Sequence, residues 1–525
     1  MSYQAEYKLL LVLPKDKTLN YSLVSKNAGF ITRTMWGSPP LSLATIAALT
    51  PLNFKTKIID ENIEEIDFNE YFDLVGITGN SFHIARAEEI AIEFSKRRVV
   101  IVCGGYSVSV CPERWRSFAN VLIIGEAERI WPEFLDDFIS GTYKNEYVEK
   151  ERFNLSVSPL PDYSSIATST LQKYSYGVVQ ISRGCPFRCE FCSVTVYAGN
   201  KIRYKPVDNI IKEIHLIHNT RKYRFIHIAD DNFAGDIQKA KEILIALKEW
   251  NSKQRKPVSF ITQLSADAAK DEEFLALSAE AGLNTFSIGF ETPNIESLKE
   301  VGKYHYININ INEYVKKIHQ YGITIMGNCM IGFDNDDPSI FKMQYKFFSE
   351  LGIANVNVYP LLAFDGAPLK ERMMKEGRYI ERNKTLFGKG HIFNMLSASN
   401  IIPKNMSVGQ LHHGIIWLLK ELYNPEKFIE RFEIFFKDFE ESDKKRDISI
   451  LKAYFDFAVI GVVLRLIAFL LLIATSSEKR TFFKMFIIAS KSSHPQRFNI
   501  LMFYFLRFIN NRSFINNITK EFCNT

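Results

Sequence analysis

The sequence predicts an α/β protein with three regions: a Rossmann-like, doubly wound parallel sheet, a partial (β/α)6 barrel, and a mainly helical C-terminal region. Residues 1–145 and 173–375 alternate short apolar runs with helical patterns, as parallel sheets with covering helices do. In residues 376–525 the strand signal fades and helical patterns remain. A chain of 525 residues has room for several domains, and 46% hydrophobic with 24% charged residues is an ordinary globular balance.

In residues 1–145, five apolar runs are predicted to be strands: KLLLVLP, KTKIID, DLVGIT, VVIVCGG and NVLIIGE. Ligands of doubly wound sheets bind outside the carboxyl ends of the strands. Small or polar residues follow those ends, namely Thr78, Ser81, Gly104, Gly105, Gly125 and Glu126. We predict a ligand site there, with glycines that only make tight turns as the alternative.

Residues 146–172 are predicted to be a linker, because they contain Pro159, Pro161 and several serines. The second alternation then gives six strand and helix repeats, the pattern of an incomplete barrel of parallel strands. Active sites of such barrels lie at the C-terminal ends of the strands. The polar residues expected at those ends are Asp230, Asp231, Asn232, Ser265, Glu291 and Asp334.

The third region is basic near its end. The whole chain carries only +6, too little to indicate a nucleic-acid partner, whereas residues 451–525 hold ten basic and three acidic residues, a net +7. Residues 457–475 are almost as long as the roughly 20 apolar residues of a membrane span, but Arg465 at their middle would cost about 2.5 to 3.5 kcal/mol in a bilayer. We expect helices that lie on a membrane face or cover an apolar substrate, with a helical core and a solvated basic rim as the alternative.

Cysteine usage indicates a metal site in a reducing compartment. Seven cysteines are too few for a disulfide scaffold, and Cys185, Cys189 and Cys192 crowd into the string RGCPFRCEFC. Three thiolates on one loop can hold three irons of a cubane cluster and leave the fourth iron open for chemistry. A structural zinc site needs four ligands in paired spacing, and the chain offers no second pair. The N-terminus shows no export signal, so we expect a cytoplasmic protein with peripheral membrane contact through 451–525.

This C-x3-C-x2-C motif, with the aromatic residue Phe191 before its last cysteine, resembles the signature of the radical S-adenosylmethionine (SAM) superfamily. The resemblance implies that Cys185, Cys189 and Cys192 are the catalytic residues and the ligands of a [4Fe-4S] cluster. It further implies that SAM chelates the open iron and is cleaved by one electron to a 5'-deoxyadenosyl radical. Reduced flavodoxin or ferredoxin would be the electron donor.

Other positions match that superfamily less specifically. Asp230 and Asp231 stand where relatives hold the methionyl end of SAM, and Glu291 stands where relatives contact its ribose or methionyl group. Ser265, Gly332 and Phe191 complete the residues that we expect to bind this cofactor. Each acid could instead be an ordinary loop residue that caps a helix.

Residues 1–145 also resemble the cobalamin-binding domain of the cobalamin-dependent radical SAM class, through GSPPLSLATIAALT, DLVGITGNS, VVIVCGG and LIIGEAERIWPEF. The resemblance implies cobalamin at Thr78, Ser81, Gly104, Gly105, Gly125 and Glu126. The chain lacks a D-x-H-x-x-G string, so no histidine is expected as a lower axial ligand of cobalt, and a vestigial domain without the corrin is the alternative.

The third region, beginning at YPLLAFDGAPLKERMMKEGRY, is similar to the helical domain of a subset that includes hopanoid C-2 methylases. The resemblance implies C-methylation of an unactivated carbon in an apolar, isoprenoid or hopanoid-like lipid substrate. One alternative is a radical SAM enzyme for ring closure, oxidation or carbon–carbon coupling. Another is a non-enzymatic, cluster-bearing sensor or binding protein at the membrane. A transfer-RNA methylthiotransferase would need three more cysteines near the N-terminus, where only Cys103 and Cys111 occur.

Overall fold

The computed structural model describes residues 6–15, 37–307, 309–381, 399–444, 457–492, 494 and 496–523. Its strands are β1 Tyr7–Leu13, β2 Phe54–Asp60, β3 Leu74–Thr78, β4 Val100–Gly104, β5 Val121–Ile124, β6 Glu146–Val148, β7 Gly177–Val179, β8 Ser182–Arg183, β9 Arg203–Tyr204, β10 Phe225–Ile228, β11 Ser259–Leu264, β12 Leu283–Glu291, β13 Thr324–Ile331 and β14 Asn355–Pro360. The prediction of parallel sheets followed by a helical region is confirmed.

The α-helices fall between the strands and after them. They are α1 Leu41–Ala48, α2 Ile84–Ser95, α3 Tyr106–Val110, α4 Ala127–Ser140, α5 Thr168–Leu171, α6 Val194–Tyr197, α7 Val207–Arg221, α8 Ile237–Ser252, α9 Glu272–Ala281, α10 Ile295–Glu300, α11 Ile311–Gln320, α12 Ile340–Glu350, α13 Pro368–Lys375, α14 Val408–Leu422, α15 Pro425–Glu440, α16 Phe457–Leu472, α17 Ser476–Ser490 and α18 Arg497–Cys523.

The first sheet has the order β2-β1-β3-β4-β5-β6, and all its strands are parallel. Helices cover both faces, so its central strands are buried throughout and appear in the sequence as apolar runs rather than alternating patterns. The strand order reverses between β1 and β3. In open sheets of this kind, such a reversal opens a crevice at the carboxyl ends of the strands.

The second sheet has the order β14-β13-β12-β11-β10-β7, also entirely parallel, so that each strand pairs with the next of these strands along the chain. This sequential order is typical of barrels built from strand and helix repeats. A short antiparallel ribbon of β8 and β9 follows β7 and flanks the cysteine loop. The six-unit barrel and the region boundaries stay predictions.

The segment after residue 145 packs against the first sheet. Strand β6 lies beyond residue 145 and still belongs to the first sheet. The expected linker packs against that sheet, since Ile166 bridges to Ile58 and the Tyr174 hydroxyl, just after it, donates to Asp60 at 3.0 Å. The segment with these prolines and serines is therefore packed against the first sheet.

The C-terminal helices pack on the open edge of the second sheet. The hydroxyl of Tyr423, the residue after α14, accepts from the Val356 amide of β14 at 3.1 Å and donates to the Val356 carbonyl at 2.7 Å. Arg507 of α18 donates to Asn355 at 3.2 Å. Phenylalanines of α15 fill the layer between these helices, and Phe432 and Phe435 are fully buried. Among the helices that the structure describes, none is long and apolar enough to cross a membrane.

Candidate active site

The three motif cysteines lie on the loop between β8 and α6, and all three are partly buried. Gly184 begins this loop with a φ of +101°, and a Cβ there would come within 2.5 Å of the Lys201 carbonyl oxygen. Only glycine fits this turn without strain. The chain therefore makes a sharp bend immediately before Cys185 and presents the loop at the carboxyl end of β7.

Two carboxylates after β10 hold the start of the loop. Asp230 is buried and accepts hydrogen bonds from the Ile181 amide (2.8 Å), the Ser182 amide (3.1 Å) and the Ser182 hydroxyl (2.7 Å). Asp231 accepts from the Gly184 amide at 3.2 Å and the Tyr197 hydroxyl at 3.0 Å. Burial raises the pKa of Asp230 to about 6, although the three donors oppose the rise. The predicted contacts of both acids with SAM stay predictions, and their visible role is to position the cysteine loop.

The far side of the loop is held by ion pairs that the sequence did not reveal. Arg372 of α13 donates to both carboxylate oxygens of Glu190, at 2.6 and 2.8 Å. The same guanidinium donates to Asp334 at 2.6 Å, and Arg378 and Lys404 complete the shell around that acid. Asp334 was expected at the strand ends that form the site. It does follow the end of β13, and its visible contacts belong to the charged network that fastens Glu190, between Cys189 and Cys192.

The donor set fits an iron–sulfur cluster. Burial raises the pKa of the Cys185 thiol, that of Cys189 to about 11 and that of Cys192 to about 12, so iron binding must displace protons from all three. Within the described residues, no three His, Cys, Asp or Glu side chains converge on a single ion. A cubane does not require convergence, because each thiolate binds a different iron.

Next to the loop, Glu291 ends β12 with a φ of +61°, a backbone conformation that non-glycine residues rarely adopt. Its carboxylate accepts from Lys303 at 2.6 Å, and Lys303 also donates to the Gly289 carbonyl at 2.6 Å. Burial would lower the pKa of Lys303, but Glu291, Tyr306 and Cys189 together outweigh burial, and the net change in this pKa is upward. The pair is buried and lies close to Cys189.

The remaining residues predicted for SAM lie around these groups. Phe191 packs against Phe333 with ring centroids 6.4 Å apart, and Ser265 is half-buried where β11 ends. Gly332 has a φ of +116° and donates its amide to Asp336 at 2.9 Å, so it shapes the end of β13. Among the described residues, the buried Asn232 Oδ1 has no hydrogen-bond partner, which leaves an acceptor for a ligand donor beside Cys185.

A cavity of about 610 Å³ lies between the carboxyl ends of the two sheets. Five of the six residues predicted for cobalamin line it: Thr78, Gly104, Gly105, Gly125 and Glu126. The second sheet and its loops contribute Gln180, Arg183 and Asp231 to the opposite wall. The prediction that the glycine loops face a ligand-sized space agrees with this placement, and their roles stay predictions.

Two of the predicted cobalamin residues have other partners. Ser81 lies outside the cavity lining, and its hydroxyl donates to Asp365 at 3.1 Å. The Glu126 carboxylate lines the cavity but is held by Arg203 at 2.6 and 2.8 Å, with Arg183 at 3.4 Å. Burial would raise the pKa of Glu126, but the two guanidiniums lower it to about 2. The bond from Ser81 to Asp365 and the pairing of Glu126 with Arg203 therefore join the first region to the second.

His83 and Tyr106 are among the residues of the cavity wall that sequence reasoning missed. His83 lines it, and its Nδ1 accepts from the Asn80 amide at 3.1 Å, an arrangement that places the proton of a neutral ring on Nε2. Tyr106 lines it too, with its hydroxyl 2.6 Å from the hydroxyl of Ser193, the neighbour of Cys192. A lone histidine or tyrosine carries no spacing signal, so neither could be singled out from the sequence.

Comparison with known families assigns this arrangement. The model described as Radical SAM superfamily matches residues 179–342, which contain the cysteine loop and the strands from β8 to β13. The chain therefore contains a radical SAM domain. The family and enzyme class expected from the motif are confirmed, and the family implies a [4Fe-4S] cluster and SAM as cofactors. A second model, a domain of unknown function (DUF4070), matches residues 367–521 of this radical SAM enzyme.

Two curated relatives are named as methyltransferases. The enzyme is 28% identical over 397 residues to an uncharacterized methyltransferase of Synechocystis, covering 75% of this chain and 72% of that protein. It is also 28% identical over 393 residues to the hopanoid C-2 methylase of Rhodopseudomonas palustris, covering 72% of each. The expected likeness to the cobalamin-dependent subset with hopanoid methylases is therefore confirmed.

The fold is also found in a solved structure of the cobalamin-dependent SAM radical enzyme OxsB, with aqua-cobalamin and SAM bound. The match covers 98% of this chain and 80% of that one, with a TM-score of 0.59 and 15% sequence identity. At this identity the likeness concerns the fold. It includes the helical C-terminal region as well as both sheets.

Proposed function

We propose that this radical SAM enzyme uses cobalamin to methylate an unactivated carbon of an apolar lipid. The relatives named as methyltransferases support the methylation, and the fold shared with OxsB supports the cobalamin. The observation that carries the proposal is the cavity of about 610 Å³ between the two sheets, bounded on one side by the glycine loops and on the other by Asp231.

The chain offers a separate set of groups to each cofactor. Cys185, Cys189 and Cys192 would hold the cluster, and Asp231 with the unpartnered Asn232 Oδ1 would meet SAM. The corrin would lie against Thr78, Gly104, Gly105 and Gly125, because the three glycines place no side chain in the cavity wall. When bound, SAM and the cluster supply a radical that removes a hydrogen atom, and cobalamin supplies the methyl group.

The protein's own contribution is to hold the two regions in one arrangement. Asp365 accepts from Ser81 at 3.1 Å, Arg114 at 3.0 Å and Lys370 at 2.6 Å, which connects the first sheet to the segment after β14. The pairing of Glu126 with Arg203 makes a second connection. Fixing both cofactor sites around one substrate turns the reaction into an intramolecular one, the main benefit of such positioning.

The apolar substrate is supported by the cavity wall and by one relative. Leucines of β1 and α1 together with Trp131 form the wall nearest the first sheet, and such surfaces favour apolar ligands. The hopanoid C-2 methylase named above acts on a polycyclic lipid, which fits this wall. Reduced flavodoxin or ferredoxin is proposed as the electron donor, because that class of protein reduces the clusters of this superfamily.

The proposal is tested by anaerobic reconstitution with iron, sulfide and hydroxocobalamin. We expect about four irons and about one cobalt per chain after gel filtration, with the visible spectra of both groups. The Cys189→Ala variant should lose reductive cleavage of SAM and keep the cobalt, since Cys189 lies outside the cavity lining. Four irons without cobalt would refute the methyl-transfer proposal and favour ring closure, oxidation or coupling. Cleavage by Cys189→Ala would refute the cluster assignment.

A further inference from the structure

Helix α16 exposes a row of large apolar side chains. Val463, Leu464, Ile467 and Leu471 recur every three or four residues and share one face, and Leu464 and Leu471 are 61% and 70% exposed. Leu472 at the end of the helix is 82% exposed. Side chains of this size are scattered singly on ordinary surfaces, so a continuous row indicates a surface that contacts something else.

Helix α17 continues this surface and adds charge to it. Phe483 and Ile487, one turn apart, are 58% and 53% exposed, and each is preceded three residues earlier by a cation, Arg480 or Lys484. The Lys479 ammonium donates to the Leu471 carbonyl at 3.4 Å, which brings the two helices together where the rows meet. We name these exposed side chains of α16 and α17 the C-terminal apolar face.

A pocket of about 350 Å³ lies between α17 and the beginning of α15. Arg480, Lys484, Ser476, Ser477 and Thr481 line it, together with Glu426 and the first turn of α15. Within the part of the chain that the structure describes, no carboxylate forms an ion pair with Arg480 or Lys484. Two unpaired cations and nearby hydroxyls are groups that bind phosphate well.

We propose that the C-terminal apolar face docks onto an anionic phospholipid bilayer, with lipid phosphates at the pocket of Arg480 and Lys484. Apolar side chains flanked by cations on one helix face are the pattern of helices that lie in a membrane interface. A second copy of this chain fits less well, because each copy brings a net +7 in residues 451–525. That docking gives the enzyme access to a lipid substrate rests on the proposed function. Binding to vesicles can be measured without turnover, so the two can be tested separately.

The test is co-sedimentation of the reconstituted enzyme with vesicles. One set is phosphatidylcholine alone, and the other contains equal parts of phosphatidylcholine and phosphatidylglycerol. We expect strong binding to the anionic vesicles only, and weaker binding when salt rises from about 0.1 M to about 1 M, because the screening length falls from about 10 Å to about 3 Å. Replacing both Arg480 and Lys484 with Gln should weaken binding about thirtyfold.

Replacing both Leu471 and Phe483 with Ser should weaken binding by at least about tenfold, since less apolar surface enters the interface. The matched control replaces Lys248 and Lys253 with Gln, the same change in charge at the end of α8 and away from this face, and should bind as the parent does. Undiminished SAM cleavage shows that each variant is folded. Absence of binding to anionic vesicles overturns the inference. So does a dimer in gel filtration that the Phe483→Ser change converts to a monomer without any vesicle binding.

Discussion

We predict that the ion pair between Glu126 and Arg203 contributes measurably to the free energy of unfolding. Replacing Glu126 with Gln removes the carboxylate and keeps its shape. The pKa of Glu126 falls from an ordinary 4.5 to about 2 in the folded protein, and at roughly 1.4 kcal/mol per pKa unit this is a stabilisation of about 3 kcal/mol. The side chain is only 8% exposed, so solvent screens little of it. Arg203 keeps hydrogen bonds to two backbone carbonyls, so we expect a loss of about 2 to 3 kcal/mol at pH 7.

The pH dependence gives the sharper test. Because folding lowers this pKa, the stabilisation is complete above pH 4.5 and is lost as the pH falls toward 2. Urea unfolding, followed by circular dichroism, should therefore show a difference in the free energy of unfolding between the parent and Glu126→Gln. This difference should be constant from pH 7 to about pH 5.5 and smaller by about 1 kcal/mol near pH 3.5.

The control is Glu146→Gln, whose carboxylate pairs with Arg116 at 2.6 Å on the surface. That exposed pair should contribute little to the free energy of unfolding. Two results would show that the Glu126 carboxylate is not ionised and paired as described. One is a loss of unfolding free energy in Glu126→Gln no larger than that in the control. The other is a difference from the parent that stays the same at pH 3.5.

Two further changes test the cofactor sites. Ala at Gly105 must adopt a φ of +99° and would place Cβ 2.4 Å from the Thr78 hydroxyl, whereas Ala at Gly141 meets only the positive φ. Both variants should lose about 1 to 2 kcal/mol of unfolding free energy. Only Gly105→Ala should also lose cobalt after reconstitution. Equal cobalt content in the two variants would count against the corrin site. Arg372→Ala frees Glu190 in the cysteine loop and should weaken iron retention about ten- to a hundredfold, and iron content equal to that of the parent would show that the loop needs no such support.

The sequence predicted the elements whose signals are local. Strands buried on both faces appear as apolar runs such as LVGIT, and parallel order follows from their alternation with helices. The cysteine loop was found because three thiols within eight residues seldom occur together except where they bind a metal. The glycines of the cavity wall were found because ligand sites of doubly wound sheets lie at the strand ends.

The parts that could not be predicted depend on partners far along the chain. Glu126 looked free for a ligand because Arg203 lies 77 residues away, and Asp334 looked like a site residue because nothing local points to Arg372. Ser81 was placed in the cavity by its neighbours, whereas its bond to Asp365 spans 284 residues. Charge pairing across regions has no period or spacing, so only the folded arrangement reveals it.

The fastening of the cysteine loop has a consequence for an oxygen-sensitive centre. Asp230 and Asp231 hold its beginning, and Arg372 holds its far side through Glu190, so hydrogen bonds within the protein fasten it at two places. We therefore expect these contacts to hold both ends of the loop after iron is lost. On that expectation, a damaged cluster on this loop would be replaced by supplying new iron and sulfide, without refolding of the chain.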